Sequence, residues 1–246
     1  PANPNRPWQY DPAGLSFGSL PTSGGSALFA SLSSLPNGQA GLSSRNLMSA
    51  LSGDIYTSFI FRPNSRPEID NTSAVLLGGP TDLDTNSTFS FSVPDFNLQN
   101  ANLRIEGQRP SGGFAGTAWT AGETYLALYS VSTTTKSGQG WILTEGQFEN
   151  FKTSLDETTL NAAALGGGPN EILQRGSFSR PTATLGSITA VSLFAAFDVQ
   201  SINYDELKVS GESLDEAVNG SSSIPEPGSA ILTLLGATAF LRRKRN

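Results

Sequence analysis

The clearest pattern along the chain is an alternation between apolar and polar positions. In residues 88–93, Phe89 and Phe91 fall on one face of an extended backbone. Ser90 and Ser92 fall on the opposite face. A period of two is typical of a β-strand with one buried face and one face in water. This segment therefore predicts a half-buried strand.

Seven further segments share an enrichment in β-branched and aromatic residues between Gly, Pro, Asn or Asp. They are residues 54–62, 73–77, 103–106, 124–131, 171–178, 188–199 and 202–209. Many short strands with few helical patterns between them are typical of an antiparallel sandwich or barrel. Residues 146–165 differ, because helix-tolerant residues there end in a run of glycines, which predicts one or two short helices.

Composition narrows the chemistry that the chain can perform. Its 246 residues include 26 Gly and 15 Pro but no His and no Cys. Without imidazole or thiol groups there can be no Ser-His-Asp triad, no cysteine nucleophile and no ordinary zinc or haem site. A carboxylate pair, a Ser-Lys pair and a calcium site with oxygen ligands remain open.

Charge is distributed unevenly along the sequence. Arg242, Arg243, Lys244 and Arg245 form an unbroken basic run near the C-terminal end. The rest of the chain has 11 basic and 21 acidic side chains, a net charge of −10. Nucleic-acid binding requires Lys and Arg clustered on one face of a protein. We therefore expect no nucleic-acid partner.

The basic run follows an apolar segment that we expect to enter a membrane. Residues 228–241 carry no charge, and a helix of this length spans roughly 21 Å. The hydrocarbon core is ~30 Å thick, so this span is marginal and needs snorkelling arginines or local thinning of the bilayer. The cations place the C-terminal end in the cytoplasm. The alternative is a buried C-terminal helix, which apolar runs of this length often form.

Residues 224–246 resemble a known export signal. Pro225, Glu226 and Pro227 come first, the apolar segment follows, and the basic run comes last. This order is similar to the PEP-CTERM sorting signal of exported bacterial proteins. The resemblance implies export across the inner membrane of a Gram-negative cell, a transient anchor there, and processing near Pro-Glu-Pro by an exosortase, a membrane-embedded protease. The prolines also keep the backbone extended, as a protease requires.

The body of the chain resembles the LamG-like jelly-roll domains over roughly residues 10–217. The segments that carry the resemblance are residues 11–27, 53–62, 121–131 and 202–211. It implies a concanavalin-like fold, in which two antiparallel sheets pack face to face. The family often has an aromatic residue shortly after the Asp-Glu strand, where this chain has Ser213 and Leu214.

These observations predict three parts in the chain. Residues 1–217 are expected to form an all-β antiparallel β-sandwich of the concanavalin or LamG-like jelly-roll type. Residues 218–223 are expected to be a linker. Residues 224–246 are expected to be the sorting and membrane segment, with an apolar helix.

One polar loop resembles the start of a calcium-binding loop. Asp82, Asp84 and Asn86 occupy alternate positions, as calcium ligands do. An EF-hand would need Gly and Glu where the chain has Ser87 and Val93. Two interpretations therefore stay open, a looser calcium site and a solvated turn without an ion. No other cofactor is expected.

Trp119 is the candidate for stacking on a sugar ring. It lies in a loop between Gly116 and Gly122, and concanavalin-like folds often bind glycans. Trp8 and Trp141 are further candidates for the same role. The alternative is that a large aromatic side chain covers the edge of the sandwich or fills its core.

The acidic residues give little support to a glycoside hydrolase, which needs two carboxylates about 5–10 Å apart across a cleft. Asp205 and Glu206 are adjacent on a predicted strand, so they point to opposite faces. Glu68 and Asp70 share a face but lie in a Pro-rich turn. We therefore expect that the protein is not an enzyme.

The predicted function is that of an exported cell-surface or extracellular-matrix protein, in which the sandwich has a structural or adhesive role. The alternative is a lectin-like module that binds carbohydrate and attaches to exopolysaccharide, and a glycoside hydrolase is a distant third. The expected partners are an exosortase-type protease, the membrane through residues 224–246, and an extracellular polysaccharide if the alternative holds.

The sorting segment can be tested in a host that has an exosortase. We expect cleavage near residues 225–227, so that the mature protein lacks the basic run. Replacing the four cations with Ser is expected to weaken membrane retention, because positive charge holds that end in the cytoplasm. Intact-mass spectrometry of the surface protein measures where the chain ends. A surface chain that still ends at Asn246 would contradict the signal.

Overall fold

The structure, a computed structural model, forms a sandwich of two sheets. It describes residues 9–22, 25–30, 40–64, 72–78, 89–93, 101–105, 112–184, 186–196 and 201–220. Within these ranges two antiparallel sheets pack face to face, and three helices and an N-terminal loop cover the outer side of the larger sheet. The predicted all-β antiparallel β-sandwich is confirmed.

The described chain contains sixteen strands and three short helices. In chain order the elements are β1 (Gln9–Asp11), β2 (Ser26–Ala30), β3 (Ala40–Leu51), β4 (Asp54–Pro63), β5 (Thr72–Gly78), β6 (Phe89–Val93), β7 (Asn102–Ile105), β8 (Gly112–Gly113), β9 (Ala115–Gly116), β10 (Tyr125–Ser132), β11 (Ser137–Leu143), α1 (Glu145–Phe151), α2 (Glu157–Ala162), β12 (Ala164–Leu165), β13 (Glu171–Ile172), β14 (Gln174–Ser179), β15 (Ile188–Ala196), β16 (Ser201–Ser210) and α3 (Leu214–Asn219).

The larger sheet has eight strands in the order β1-β2-β16-β4-β10-β11-β14-β9, and the smaller has six in the order β3-β15-β5-β6-β7-β8. Every described pairing within these sheets is antiparallel, whereas β12 and β13 form a separate, short parallel pair. Each of the eight predicted strand segments contains a strand. The predicted helical region contains α1 and α2.

The core between the sheets is built on aromatic rings. Phe59 from the larger sheet meets Phe91 from the smaller sheet edge-on, with ring centroids 5.3 Å apart. Phe91 also stacks on Tyr129 at 5.3 Å. Such pairs contribute about 0.5–1.5 kcal/mol each beyond the burial of their area. The rings therefore hold the two sheets in one relative position.

The larger sheet is also buried on its outer face. Along β4, Phe59 and Phe61 point into the core between the sheets, whereas Ile60 points outward. The outward side chains pack against Phe148 of α1, Leu160 of α2 and other apolar groups of the helices and the N-terminal loop, which together form the cover of this face. Strands buried on both faces lose the simple alternation of a half-buried strand, which explains why Phe59, Ile60 and Phe61 follow one another in β4.

Strand β11 was not predicted from the sequence, because Gly138 and Gly140 interrupt its apolar pattern. The structure gives Gly140 a packing role. Gly140 pairs with Gly176 of β14, and the ring of Phe114 lies over both. A Cβ on Gly140 would lie 2.7 Å from Phe114 Cζ, and a Cβ on Gly176 would lie 2.2 Å from Phe114 Cδ1. The ring can pack there only because both positions lack a side chain.

The polar face of β6 is not in water. Ser90 is 0% exposed and Ser92 is 1% exposed, and their Oγ atoms lie 3.2 Å apart. The prediction of a solvated face is therefore wrong for this strand. Alternation separates the two faces of a strand but does not say what covers each of them. Hydroxyl groups that bond to one another can be buried at modest cost.

Helix α3 extends the sandwich beyond residue 217. Ser58 Oγ donates a hydrogen bond to the carbonyl of Ala217 at 2.5 Å, and Lys208 Nζ donates to the carbonyl of Val218 at 2.9 Å. Ala217 and Val218 are buried. The first two residues of the expected linker 218–223 thus belong to a packed helix. No helix in the described ranges is both long and apolar enough to cross a membrane.

A polar pair in the core between the sheets yields a stability prediction. Thr57 and Tyr129 are cross-strand partners, and no described residue gives Thr57 Oγ1 or the Tyr129 phenol a hydrogen bond. Burial raises the pKa of the Tyr129 phenol, and the Thr57 hydroxyl opposes this shift, so the two groups lie close together but outside hydrogen-bonding geometry. We expect the double variant Thr57→Val, Tyr129→Phe to raise the free energy of unfolding by about 1 kcal/mol, because two buried, unpaired hydroxyls are removed with little change of shape.

Chemical denaturation of the double variant measures this effect. Tyr125→Phe is the control, since the Tyr125 hydroxyl accepts a hydrogen bond from the Thr120 amide at 2.7 Å. This control is expected to lower stability. A double variant that loses stability as the control does would show that the two core hydroxyls are hydrogen-bonded after all.

Candidate functional site

A groove of about 400 Å³ opens on the outer face of the larger sheet, beside α2. Its floor comes from β4, β10, β11 and β14, and its wall comes from the start of α2. Its lining is mainly polar and consists of Asp54, Tyr56, Ser130, Val131, Ser132, Thr135, Ser137, Gly138, Gln139, Glu157, Ser177 and Phe178.

Strand register brings the floor residues into line. Tyr56 of β4 lies opposite Ser130 of β10, which lies opposite Gln139 of β11, which lies opposite Ser177 of β14. Paired residues of an antiparallel sheet point to the same face. The groove thus has one continuous row in which an aromatic ring is followed by hydroxyl, amide and hydroxyl groups.

A second row runs beside the first, toward the open end of the groove. Asp54 lies opposite Ser132, and Ser132 lies opposite Ser137. Because serine side chains are short, they leave space between the Tyr56 ring and α2. The groove is therefore a recess whose surface is dense in hydrogen-bonding groups.

A chain of hydrogen bonds positions the wall against the floor. The indole Nε1 of Trp141 donates to Asn161 Oδ1 at 3.1 Å, and Asn161 Nδ2 donates to Gln139 Oε1 at 2.9 Å. Gln139 Nε2 in turn donates to Glu157 Oε2 at 2.6 Å. Because Trp141 is fully buried, the chain links the core to the carboxylate at the groove.

Helix α2 is held at both of its ends. Asp156 caps the first turn, where its Oδ1 accepts from the Thr159 amide at 2.9 Å. At the other end the Arg175 guanidinium donates to the carbonyls of Leu160, Asn161 and Ala163. The last carbonyls of a helix have no partner within the helix, so Arg175 both satisfies them and fixes α2 to β14.

The rim of the groove is formed by two turns that bond to each other. Gly53 donates its amide to Thr133 Oγ1 at 2.8 Å, and the Thr133 amide donates to the Gly53 carbonyl at 2.9 Å. Gly53 has a φ of +82°, a conformation that favours glycine. Lys136 closes the second turn, and its ammonium group donates to the Thr133 carbonyl. The nearest lysine is thus directed into the turn.

The groove has negative electrostatic character. Two carboxylates, Asp54 and Glu157, belong to its lining, and none of the described lining residues is Lys or Arg. Burial raises the pKa of the Tyr56 phenol, and the charges of Glu157 and Asp54 raise it further. The phenol therefore stays protonated at neutral pH, where it can both donate and accept hydrogen bonds.

The predicted sugar-stacking residue lies inside the sandwich. Trp119 is 5% exposed, and its ring meets the Phe61 ring edge-on at 6.0 Å. Its indole fills the core and offers no open face to a sugar in this structure. Trp141 is fully buried. Trp8 lies outside the described residues.

The other predicted site residues also fall outside the described ranges. These are the calcium-loop residues Asp82, Asp84 and Asn86 and the sorting residues Pro225, Glu226, Pro227, Arg242, Arg243, Lys244 and Arg245. Within the described ranges, no group of three or more acidic side chains is placed to hold a metal ion.

Asp205 anchors the N-terminal loop. Its Oδ2 accepts from the Leu15 amide at 2.7 Å, and its Oδ1 accepts from the Glu206 amide at 2.9 Å. Burial raises the pKa of this carboxyl, although the two amides oppose the shift. Glu206 has a φ of +49° at a β-bulge before Lys208. The Asp205 carboxylate thus holds the backbone of the N-terminal loop and of the bulge.

The groove residues Tyr56, Gln139 and Glu157 were not predicted from the sequence. One signal could have found part of the site. Along β10 the outward positions are apolar at Leu126 and Leu128 and become polar at Ser130 and Ser132. Strand β4 shows no such division, because Ser58 lies outward between Tyr56 and Ile60. Glu157 carried no such signal, because its place depends on how α2 docks.

The known proteins that are similar to this chain are solved structures of low sequence identity. No family model matches the chain, and no curated protein matches its sequence. A metal-free lectin I-B4 from Griffonia simplicifolia has a TM-score of 0.46 and 11% identity over 79% of this chain and 91% of the lectin.

A Bacillus subtilis protein of unknown function with a galectin-like fold has a TM-score of 0.42 and 12% identity over 82% of this chain and 88% of that chain. A sialidase has a TM-score of 0.46 and 9% identity over 82% of this chain, which spans 17% of the sialidase. Similarities of this size carry no information about the residues of the groove.

The docking of α2 can be tested through Arg175. We expect Arg175→Met to lower the free energy of unfolding by about 1–3 kcal/mol, because it leaves partly buried carbonyls without donors. Hydrogen exchange should show lost protection in α2 and unchanged protection in β4 and β10. Unchanged protection in α2 would contradict the role given to Arg175.

Proposed function

We propose that the protein binds carbohydrate through the groove beside α2. The observation that carries this proposal is the row of Tyr56, Ser130, Gln139 and Ser177, which combines an aromatic ring with hydrogen-bonding groups in one open recess. A sugar ring has an apolar face of C–H groups and an edge of hydroxyls. A half-buried tyrosine suits the first, and amide, hydroxyl and carboxylate groups suit the second.

The site is preorganised, which reduces the cost of binding. Gln139 is held between Asn161 and Glu157, and the floor residues lie on paired strands of a sheet that is packed on both faces. Side chains that are already ordered lose less conformational entropy when a ligand binds. A shallow polar site of this kind suits a repeating polysaccharide, because one polysaccharide chain can bind the grooves of several protein molecules at once.

We further propose that the protein works at the surface of a bacterial cell or in its extracellular matrix. The support is the order of Pro225-Glu226-Pro227, the apolar segment and the basic run, which is similar to an exosortase-processed signal. In this proposal the membrane holds the chain transiently, and the sandwich then attaches to exopolysaccharide. For the loop with Asp82, Asp84 and Asn86, a calcium site and a plain turn both stay open. A rise in melting temperature with added calcium would support the site, and an unchanged melting curve would leave the turn.

Filling the groove tests the binding proposal. Ser177 is exposed on the groove side of β14, so Ser177→Trp is expected to obstruct the recess. The affinity for a bound glycan should fall at least about tenfold, which corresponds to about 1.4 kcal/mol of binding free energy. Ser49→Trp is the matched control, because Ser49 is exposed on β3 in the other sheet. Glycan arrays followed by calorimetry measure both variants.

Two outcomes would contradict the proposal. In the first, Ser177→Trp and Ser49→Trp bind glycans equally well, which would place the site elsewhere. In the second, the unaltered protein shortens the polysaccharide, and replacing Asp54 and Glu157 abolishes this activity. The groove would then belong to a glycoside hydrolase.

A further inference from the structure

We infer that the groove selects polysaccharides that carry free amino sugars over those that carry uronic acids. This inference rests on the proposed carbohydrate binding and adds the charge of the ligand to it. The ligand class is a chain of hexosamine units whose amino groups are not acetylated and are protonated.

The two carboxylates of the groove are available to a ligand. Asp54 is exposed at the open end of the floor, and Glu157 is half-buried in the wall. The hydrogen bond from Gln139 is accepted by Glu157 Oε2, which leaves Oε1 for a ligand. A sugar that lies on the floor between them can therefore present an ammonium group to a carboxylate while its ring contacts Tyr56.

The cations near the groove already have other partners. The Lys136 ammonium donates to the Thr133 carbonyl in the turn, and the Arg175 guanidinium donates to three carbonyls at the end of α2. Neither belongs to the lining. Because no described lining residue is Lys or Arg, a carboxylate on the floor of the groove would face Asp54 and Glu157 without a cation of the lining to pair with.

The net negative charge of the rest of the chain also favours a cationic ligand over an anionic one. Apart from the basic run at the end, the sequence has a net charge of −10. Such a field attracts a cationic chain and repels an anionic one before contact is made. Ammonium–carboxylate hydrogen bonds are also stronger than neutral ones. Both effects favour a polysaccharide with free amines, and both weaken with added salt.

The experiment compares three oligosaccharides of the same length. They are a glucosamine oligomer, its fully N-acetylated counterpart and a galacturonic acid oligomer, each titrated into the purified protein at about pH 5.5, where amines are protonated and exposed carboxylates are ionised. We expect the glucosamine oligomer to bind about tenfold more tightly than the acetylated one. We expect no measurable binding of the galacturonate.

Conservative variants connect this preference to the groove. Asp54→Asn and Glu157→Gln keep the shape of each side chain, and the amide oxygen introduced by Glu157→Gln can still accept from Gln139. Each should lower affinity for the glucosamine oligomer several-fold and leave affinity for the acetylated oligomer nearly unchanged. Glu123→Gln is the control, because Glu123 is exposed in the turn before β10, at the far end of that strand from the groove. Melting temperatures establish that all variants are folded.

The possible outcomes distinguish failure of this inference from failure of the carbohydrate-binding proposal on which it rests. If the glucosamine and acetylated oligomers bind equally well and Ser177→Trp weakens both, the groove binds sugars but charge does not select them, which overturns the inference alone. Tighter binding of the galacturonate would also overturn it. If no oligosaccharide binds, both the inference and the carbohydrate proposal fail.

Discussion

Burial of the larger sheet on both faces is the constraint on which the rest of this structure depends. Strands β4 and β10 send aromatic rings such as Phe59 into the core between the sheets and send Ile60 and Leu128 outward. An apolar outer face cannot stay in water without a large free-energy cost, at about 25 cal/mol for each Å². The three helices and the N-terminal loop cover this outer face and so remove it from water.

The groove lies where that cover ends. Along β10 the outward positions are apolar at Leu126 and Leu128 and become polar at Ser130, and α2 begins beside this point at Glu157. Arg175 and the bonds from Trp141 through Asn161 hold the helix at this boundary. The same contacts that complete the outer core therefore give the groove a rigid wall and place Glu157 in it.

The floor and the rim of the proposed binding site are both parts of the packed sandwich. The floor belongs to strands packed on both sides, and the rim turns bond to each other through Gly53 and Thr133. Selectivity then comes from charge, since the two lining carboxylates have no lysine or arginine beside them in the described lining. In the proposed role, the ring of Tyr56 and the polar groups of the floor and wall would hold the ligand.

The sequence alone determined eight of the strand segments, the antiparallel sandwich, the short helices near residue 150, the lack of His and Cys chemistry and the acidic body, because these depend on local periodicity and composition. Only the tertiary structure decided that Trp119 fills the core, that Ser90 and Ser92 are buried, and that Asp54 and Glu157 share one groove. Alternation divides a strand into two faces, but what covers each face depends on contacts between segments far apart in the chain, and local patterns do not encode them.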